Sequence, residues 1–358
     1  MTRSPFGSVQ RLGEGRYRIW WTDNGKRRSE RVSGTREDAV RELARKCAGV
    51  GAVHRGTTWR RYWEDAVEPT FSGLSERTAY DYSRLWRSYL DGSLGACTVS
   101  STTWRTVQRA LDSVSAPSEQ RYCYRLLKKM CNMAVRDGLL GRNPVDRGIR
   151  LKDVKRKAKA TYALEEIAPL LDAIDGYTYA YAVVLEVGGG LRHEEACAVT
   201  RSDVVKVESG GRLYAVVSVS KALTLVNGRK VLKDTKTALS EREVVLGEPF
   251  ASALSEDSLP ESADALPSPG KVTRSWAEWC ASQGLRHVTF AEMRTAYSML
   301  HAEAKTPDVL VSLSMGHADG TTRGDNYTQA DRRAMMIAAD SLTDALEAVR
   351  CGAKWCEI

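Results

Sequence analysis

The chain has 358 residues, enough for two or three domains that each bury a core. With 42% hydrophobic and 27% charged residues and no apolar run near membrane-span length, it reads as an ordinary globular protein rather than a membrane or disordered one. The net charge of +8 is unevenly spread. Residues 1–160 hold 33 Lys+Arg against 17 Asp+Glu, whereas residues 161–358 hold 20 against 28. A half with a net charge of +16 calls for a polyanionic partner, most simply a nucleic-acid backbone. The opening segment MTRSPFGSVQ lacks the apolar core of a signal peptide, so a cytoplasmic location is expected. The eight cysteines are scattered, with no CxxC and no set of metal-ligand spacings, as expected of reduced thiols and no metal site.

Residues 8–32 alternate polar and apolar positions, and Asp23-Asn24-Gly25 is a hairpin turn signal because Asn and Gly tolerate positive φ. Three short strands are predicted, then a helix capped by Thr35 with Glu37 and Asp38 in its first turn, running to about Cys47. Arg16, Arg18, Lys26, Arg27, Arg28 and Arg31 are interleaved with Tyr17, Trp20 and Trp21. Such a sheet suits a DNA groove, and it suits equally a plain capping hairpin.

Residues 57–140 show apolar positions at three- and four-residue spacing and are read as a small helical bundle. Ser75 and Ser101 are its expected caps, and Gly141-Arg142-Asn143-Pro144 its stop. Arg60, Arg61, Arg84, Arg87, Arg121, Arg125, Lys128 and Lys129 make its faces basic, though many such charges only solvate a helix surface. Residues 150–160, RLKDVKRKAKA, form a basic run with no apolar period and read as an exposed linker. Its Lys155, Arg156 and Lys157 suit a phosphate backbone.

Beyond the linker, residues 162–174 and 177–187 are expected helices, the second buried, with Gly188-Gly189-Gly190 breaking it and Arg192 opening the next. Residues 213–219 and 223–246 alternate around Asn227-Gly228 and predict a small antiparallel sheet carrying Lys236 near a turn. Residues 248–270 are acidic and rich in Pro, Ser and Ala, which suggests a mobile surface excursion. Helices are expected again from Val272, across residues 289–304, and in an amphipathic tail at 332–349.

The stretch SLSMGHADGTTRGDNYTQAD places Gly316-His317 ten residues before a lone Tyr327 across a polar loop. Alone, a phenol and an imidazole so spaced are as well explained by a cap and a half-buried ring. Together with Gly190-Leu191-Arg192-xx-Glu195, Lys236-Thr237-xx-Ser240-x-Arg242 and Arg294 inside a helix, the order resembles the tyrosine recombinase, or phage integrase, family. The likeness spans the catalytic half nearly end to end and the basic half more loosely.

That resemblance implies a multidomain, mainly α protein with small antiparallel β-sheets. It implies an arm-type DNA-binding domain at 1–54, a helical, SAM-like core-binding domain at 55–149, the linker at 150–160 and a mixed α/β catalytic domain at 161–358. It implies strand cleavage by Tyr327 to a 3′-phosphotyrosine, with Arg192 and Arg294 gripping the non-bridging oxygens as paired forks. His317 would hydrogen-bond the phosphate and Lys236 would act as general acid to the 5′ oxygen. Glu195 is expected to buttress Arg192 rather than to touch DNA. No cofactor or metal is required.

The expected partners are double-stranded attachment-site DNA, three further copies of the chain passing through a Holliday junction, and accessory DNA-bending proteins of a mobile element such as a transposon. The tail helix is expected either to dock on a neighbouring protomer or to pack in its own domain. One departure is plain: the family's HxxR has Ala291 in the His position, and His287 is out of register. Reduced or compensated activity is expected from this, and the competing reading is an integrase-derived accessory protein that binds DNA without cutting it.

Overall fold

The computed structural model describes residues 8–23, 26–51, 56–146, 148–154, 159–234, 241–316 and 332–352. The chain divides into two compact units, Met1–Arg156 and Lys157–Ile358. Helices dominate, with small antiparallel sheets among them. Among the described residues no helix is long and apolar enough to cross a membrane.

In the first unit, β1 (Ser8–Gly13), β2 (Arg16–Asp23) and β3 (Lys26–Ser33) form an antiparallel sheet in that order. Helix α1 (Arg36–Gly51) follows, four residues longer than expected. Thr35 caps it: the Asp38 amide donates to Thr35 Oγ1 at 3.2 Å, and Thr35 N donates back to the Asp38 carboxylate at 2.9 Å. Strand alternation sends Tyr17, Ile19 and Trp21 toward Ala39 and Leu43 of α1. Ile19 is fully buried, worth roughly 1.5–3 kcal/mol in a core this small.

The rest of this unit is helical: α2 (Trp59–Tyr62), α3 (Glu76–Leu85), α4 (Asp91–Leu94), α5 (Trp104–Asp112) and α6 (Pro117–Arg136). Two π-helical segments, Trp63–Val67 and Trp86–Leu90, bring Trp63 and Trp86 into a parallel stack at 4.9 Å. Ser75 caps α3 as expected, but α5 is capped by Thr103 rather than Ser101, which sits at the end of a 3-10 turn. Helix α6 also ends earlier than its apolar pattern suggested. Gly138 takes a left-handed φ of +76°, and the Leu139 amide closes back on the Ala134 carbonyl, so Gly141 and Pro144 come after the stop.

The linker begins as part of this unit. The Arg150 amide donates to Gln108 Oε1 at 2.9 Å and the Lys152 amide to the buried Gln120 Oε1 at 2.7 Å, so its first residues are pinned rather than free. Spacing could not reveal this, because both anchors are side-chain amides on helices.

The second unit opens with α7 (Ile167–Ala173), α8 (Ala180–Gly189) and α9 (His193–Ala196). Strands β4 (Val204–Ser209), β5 (Arg212–Val219), β6 (Lys221–Val226), β7 (Arg229–Asp234) and β8 (Arg242–Leu246) follow. They make two sheets, not one: β4-β5-β8, and a separate β6-β7 ribbon. The ribbon turns at Asn227-Gly228 with φ of 48° and 76°, the geometry that an Asn-Gly pair favours.

Helices α10 (Phe250–Ala253), α11 (Pro269–Gln283), α12 (Phe290–Glu303), α13 (Asp308–Ser314) and α14 (Arg332–Arg350) complete the unit. Residues 248–270 are no surface excursion. Phe250, Leu254, Leu259 and Leu266 are buried in the main core beneath a polar, acidic exterior.

The tail helix α14 spends its apolar face on its own unit. Met335 and Ala339 pack on Tyr214, Val216 and Val245 of the sheet, while Leu342 and Leu346 join the main core. Arg212 bridges to Asp340 at 3.0 Å and to Asp344 at 2.5 Å, and Tyr214 Oη donates to Asp340 at 2.7 Å. On the same helix Ile337 is left largely exposed.

His301 on α12 is buried against Tyr297, with Nδ1 at 2.9 Å from Thr306 Oγ1, and burial pushes its imidazole down to about 4. Between the ordinary His value and 4 the unfolded chain binds a proton that the folded chain refuses. Stability should therefore fall as pH drops through this window, by at most about 3 kcal/mol. Urea midpoints at pH 7 and pH 4.5 test this, and His301→Gln should flatten the difference.

Candidate active site

The site is built at the junction of α8, α9, α12 and the end of α13. Helix α8 continues through Gly188 and Gly189 and stops only at Gly190, at φ +65°. A Cβ there would lie 2.5 Å from the Tyr297 ring, so glycine is required both by conformation and by contact. Gly190→Ala should cost about 2–4 kcal/mol, from left-handed strain plus overpacking, read as a lower urea midpoint at constant m.

The turn at Gly190 delivers Arg192 to the N-cap of α9. The Arg192 amide donates to Glu195 Oε2 at 3.0 Å and its guanidinium to Glu195 Oε1 at 2.7 Å, the buttress expected from the sequence. Arg242, at the start of β8, donates to the same carboxylate at 2.9 Å. Glu195 is only 4% exposed and Arg242 8%, whereas Arg192 is 43% exposed and opens to solvent. Burial alone would raise the Glu195 carboxyl, but Arg242 and Arg192 outweigh it and hold the group below the usual carboxylate range.

Three consecutive carbonyls at the end of α13 are each taken by a different arginine. Arg242 Nε donates to Ser314 O at 2.6 Å, Arg294 Nη2 to Met315 O, and Arg192 Nη2 to Gly316 O at 3.1 Å. Terminal helix carbonyls have no intrahelical donor and carry partial negative charge, so cations are the natural partners. Arg294 also donates through Nη1 to the Gly190 carbonyl, which ties α12 to the turn before Arg192. Burial and then repulsion from Arg192 push Arg294 down to about 10; it is still charged at neutral pH and favours an incoming anion.

Behind the turn lies a buried pair that the sequence reading passed over. Glu186 Oε1 sits 2.7 Å from His193 Nδ1, and His193 Nε2 donates to the Pro269 carbonyl at 3.0 Å while its ring stacks on Phe290. Burial pushes the Glu186 carboxyl well above the usual carboxylate range. Burial opposes charge on His193 too, but hydrogen bonds to Cys197 and Glu186 carry the imidazole above its ordinary value. The signal was available: one carboxylate in an otherwise apolar helix, AYAVVLEVGG. Arg242 was visible in its motif, but nothing in the spacing gave it a partner.

The expected site residues thus fall in three groups. Arg192 and Arg294 come together at the end of α13, while Ala291 is exposed on the first turn of α12. Lys236, His317 and Tyr327, and the linker bases Lys155, Arg156 and Lys157, lie outside the described residues.

The expected DNA-binding residues of the first unit lie on two elements. On β2 and β3, Arg18 pairs with Arg31 and Trp20 with Ser29 on the face away from α1. The Arg18 and Arg27 guanidinium groups stand 5.6 and 4.7 Å from the Trp20 ring. Alternation places Arg16 on this face too, but not Arg28. It pairs with Trp21, so register puts it on the α1 side. Lys26 lies opposite Asp23 at the start of β3. On α6, Arg121, Arg125 and Lys128 are exposed along one face, with Arg125 over the exposed Tyr122 and Lys128 3.8 Å from Asp146. Arg60, Arg61, Arg84 and Arg87 are instead paired with Asp91, Asp65, Glu119 and Glu68.

No protein-family profile matches the chain. A curated protein named integrase, from Mycobacterium phage D29, is 25% identical over 219 residues, 56% of this chain. The match likewise covers 56% of that relative's length, little more than half. In structure the chain is similar to the Tn1549 transposon integrase in complex with a circular intermediate DNA, with a TM-score of 0.61 and 18% identity over 80% of this chain and 99% of that one. It is also similar to a lambda integrase dimer bound to a core site, with a TM-score of 0.54 and 18% identity over 92% and 97% of the two chains. A lambda integrase tetramer bound to a Holliday junction gives a TM-score of 0.53 at 18% identity over 88% and 96%. The resemblance read from the residues is thus met again in a curated integrase and in solved ones, and the fold of this chain is that of the Tn1549 and lambda integrases.

Proposed function

We propose that the chain is a site-specific recombinase that cuts and rejoins double-stranded DNA through a covalent tyrosyl intermediate. The observation that carries this reading is the set of three arginines on the carbonyls of residues 314–316, immediately before His317 in the chain. Backbone carbonyls hold Arg192 and Arg294 in place before any substrate arrives, and a phosphate would meet preset cations.

In this reading the Tyr327 phenol loses its proton to solvent as its oxygen attacks the scissile phosphorus, the bond to the 5′ oxygen breaks, and Lys236 gives the leaving oxygen its proton. Arg192 and Arg294 take the non-bridging oxygens as negative charge builds on them, and His317 adds a hydrogen bond. A phosphodiester is exchanged for a phosphotyrosine, so the energy of the bond is kept, and a 5′ hydroxyl from a second site reverses the step. The basic, aromatic face of the first sheet, the exposed bases of α6 and the linker bases supply phosphate contacts. They position the DNA without by themselves reading its sequence.

Four copies working on two sites through a Holliday junction is the assembly this reading calls for. A neighbouring protomer would meet what α14 leaves exposed, since most of its apolar face is already used.

The test is a nicked suicide substrate carrying the attachment site, obtained by selection from random DNA and incubated with the protein in EDTA. A covalent protein–DNA adduct on a denaturing gel is expected. Tight binding without an adduct would return the chain to the accessory-protein reading.

A further inference from the structure

The far end of the linker is fastened to α12 beside Arg294. The Ala160 amide donates to Glu292 Oε1 at 3.1 Å, and Lys159 Nζ donates to Thr295 Oγ1 at 3.2 Å. Glu292 is itself fixed, its Oε2 accepting from the Thr289 amide at 2.9 Å and the Thr289 hydroxyl at 2.7 Å. The Thr295 hydroxyl points back along the helix to the Ala291 carbonyl at 3.4 Å. Residues 291, 294 and 295 are neighbours on one helix surface, with 291 between the other two in azimuth. The ammonium of Lys159 is therefore held on the face where Ala291 presents an exposed methyl group and no donor.

We propose that Lys159 is a further catalytic residue, whose ammonium donates a hydrogen bond to a non-bridging oxygen of the scissile phosphate beside Arg294. An ammonium has three donors, and the Thr295 bond uses one. Lys159 transfers no proton. It adds fixed positive charge where the transition state gathers negative charge, at the position for which Ala291 supplies nothing. The inference rests on the recombinase reading above. It adds that the linker, besides joining the two units, completes the site.

The experiment compares wild type, Lys159→Ala, Lys159→Arg, Thr295→Val and Lys159→Ala/Ala291→His by adduct formation on the suicide substrate at saturating protein, with DNA affinity measured in parallel. Lys159→Ala should slow adduct formation by about 10- to 100-fold, at or below the roughly 100-fold that a buried oxyanion donor supplies at the least, because the group is exposed. Its affinity should stay within about threefold, since one phosphate contact among many is lost. Lys159→Arg should keep most of the rate, Thr295→Val should lose part of it, and Ala291→His in the Lys159→Ala background should restore most of what was lost.

A Lys159→Ala protein that cuts at the wild-type rate once saturated, whether or not its affinity falls, overturns the proposal and leaves Lys159 a backbone contact. So does failure of the histidine to rescue. If wild type itself forms no adduct, the recombinase reading fails first and this inference with it. A Tyr327-dependent adduct that is indifferent to Lys159 sinks the inference alone.

Discussion

Tyr327→Phe is expected to abolish the covalent adduct while leaving DNA affinity within about threefold of wild type. The substitution removes one oxygen and keeps the ring, so packing and phosphate contacts elsewhere are untouched. An unperturbed phenol, with a pKa of about 10, is a weak nucleophile at neutral pH. The proposed site compensates with Arg192 and Arg294, fixed at the end of α13, and with Lys236 to protonate the leaving oxygen. Without the phenolic oxygen no bond to phosphorus can form, so the loss should exceed about 10⁴-fold, as when a nucleophile is deleted outright. The measurement is the rate of adduct formation on the suicide substrate in EDTA. An adduct that persists in the Phe variant would mean a different nucleophile and would sink the assignment of Tyr327.

Glu195→Gln should destabilise the second unit by about 3–5 kcal/mol, the cost of breaking a buried ion pair by removing one partner. Glu195 is the carboxylate on which Arg192 and Arg242 converge, and Arg242 is almost wholly buried. A glutamine keeps the shape but turns one acceptor into a donor that faces a guanidinium. The urea midpoint should fall, and adduct formation should fall with it, because Arg192 loses the group that orients it. Acid provides a second check. The Glu195 carboxyl is held below its ordinary range, so its stabilising contribution is complete above that range and lost as pH falls through the folded value. Wild type should lose this contribution on acidification, and the Gln variant should have none to lose. A variant as stable as wild type would show that the arginines hold their places through the carbonyls of residues 314–316 alone.

Much of this was written along the chain. Alternation specifies the strands of the first sheet, because strand pairing needs only local pattern, whereas its Asn24-Gly25 turn signal lies outside the described residues. Three- and four-residue spacing specifies α6 and α14, and Asn227-Gly228 fixes the β6-β7 ribbon. The order Arg192, Glu195, Lys236, Arg294, His317, Tyr327 was enough to point to an integrase, since a motif is a property of sequence.

What the sequence left undecided were matters of which distant group lies opposite which. Residues 248–270 look polar in composition, yet Phe250, Leu254, Leu259 and Leu266 turn inward, because burial depends on which side of a segment meets the core. The tail helix had two uses for its apolar face, and only the β4-β5-β8 sheet lying against it shows how much of that face packs in its own unit. Arg28 reads like its neighbours until pairing with Trp21 assigns it the α1 side. Glu186 stands out in an apolar helix and Arg242 in its motif, but neither they nor Lys159 carry a local mark of the partner each one meets. Each acts through a partner 7 to 136 residues away in the chain, and such contacts exist only once folding has brought them together.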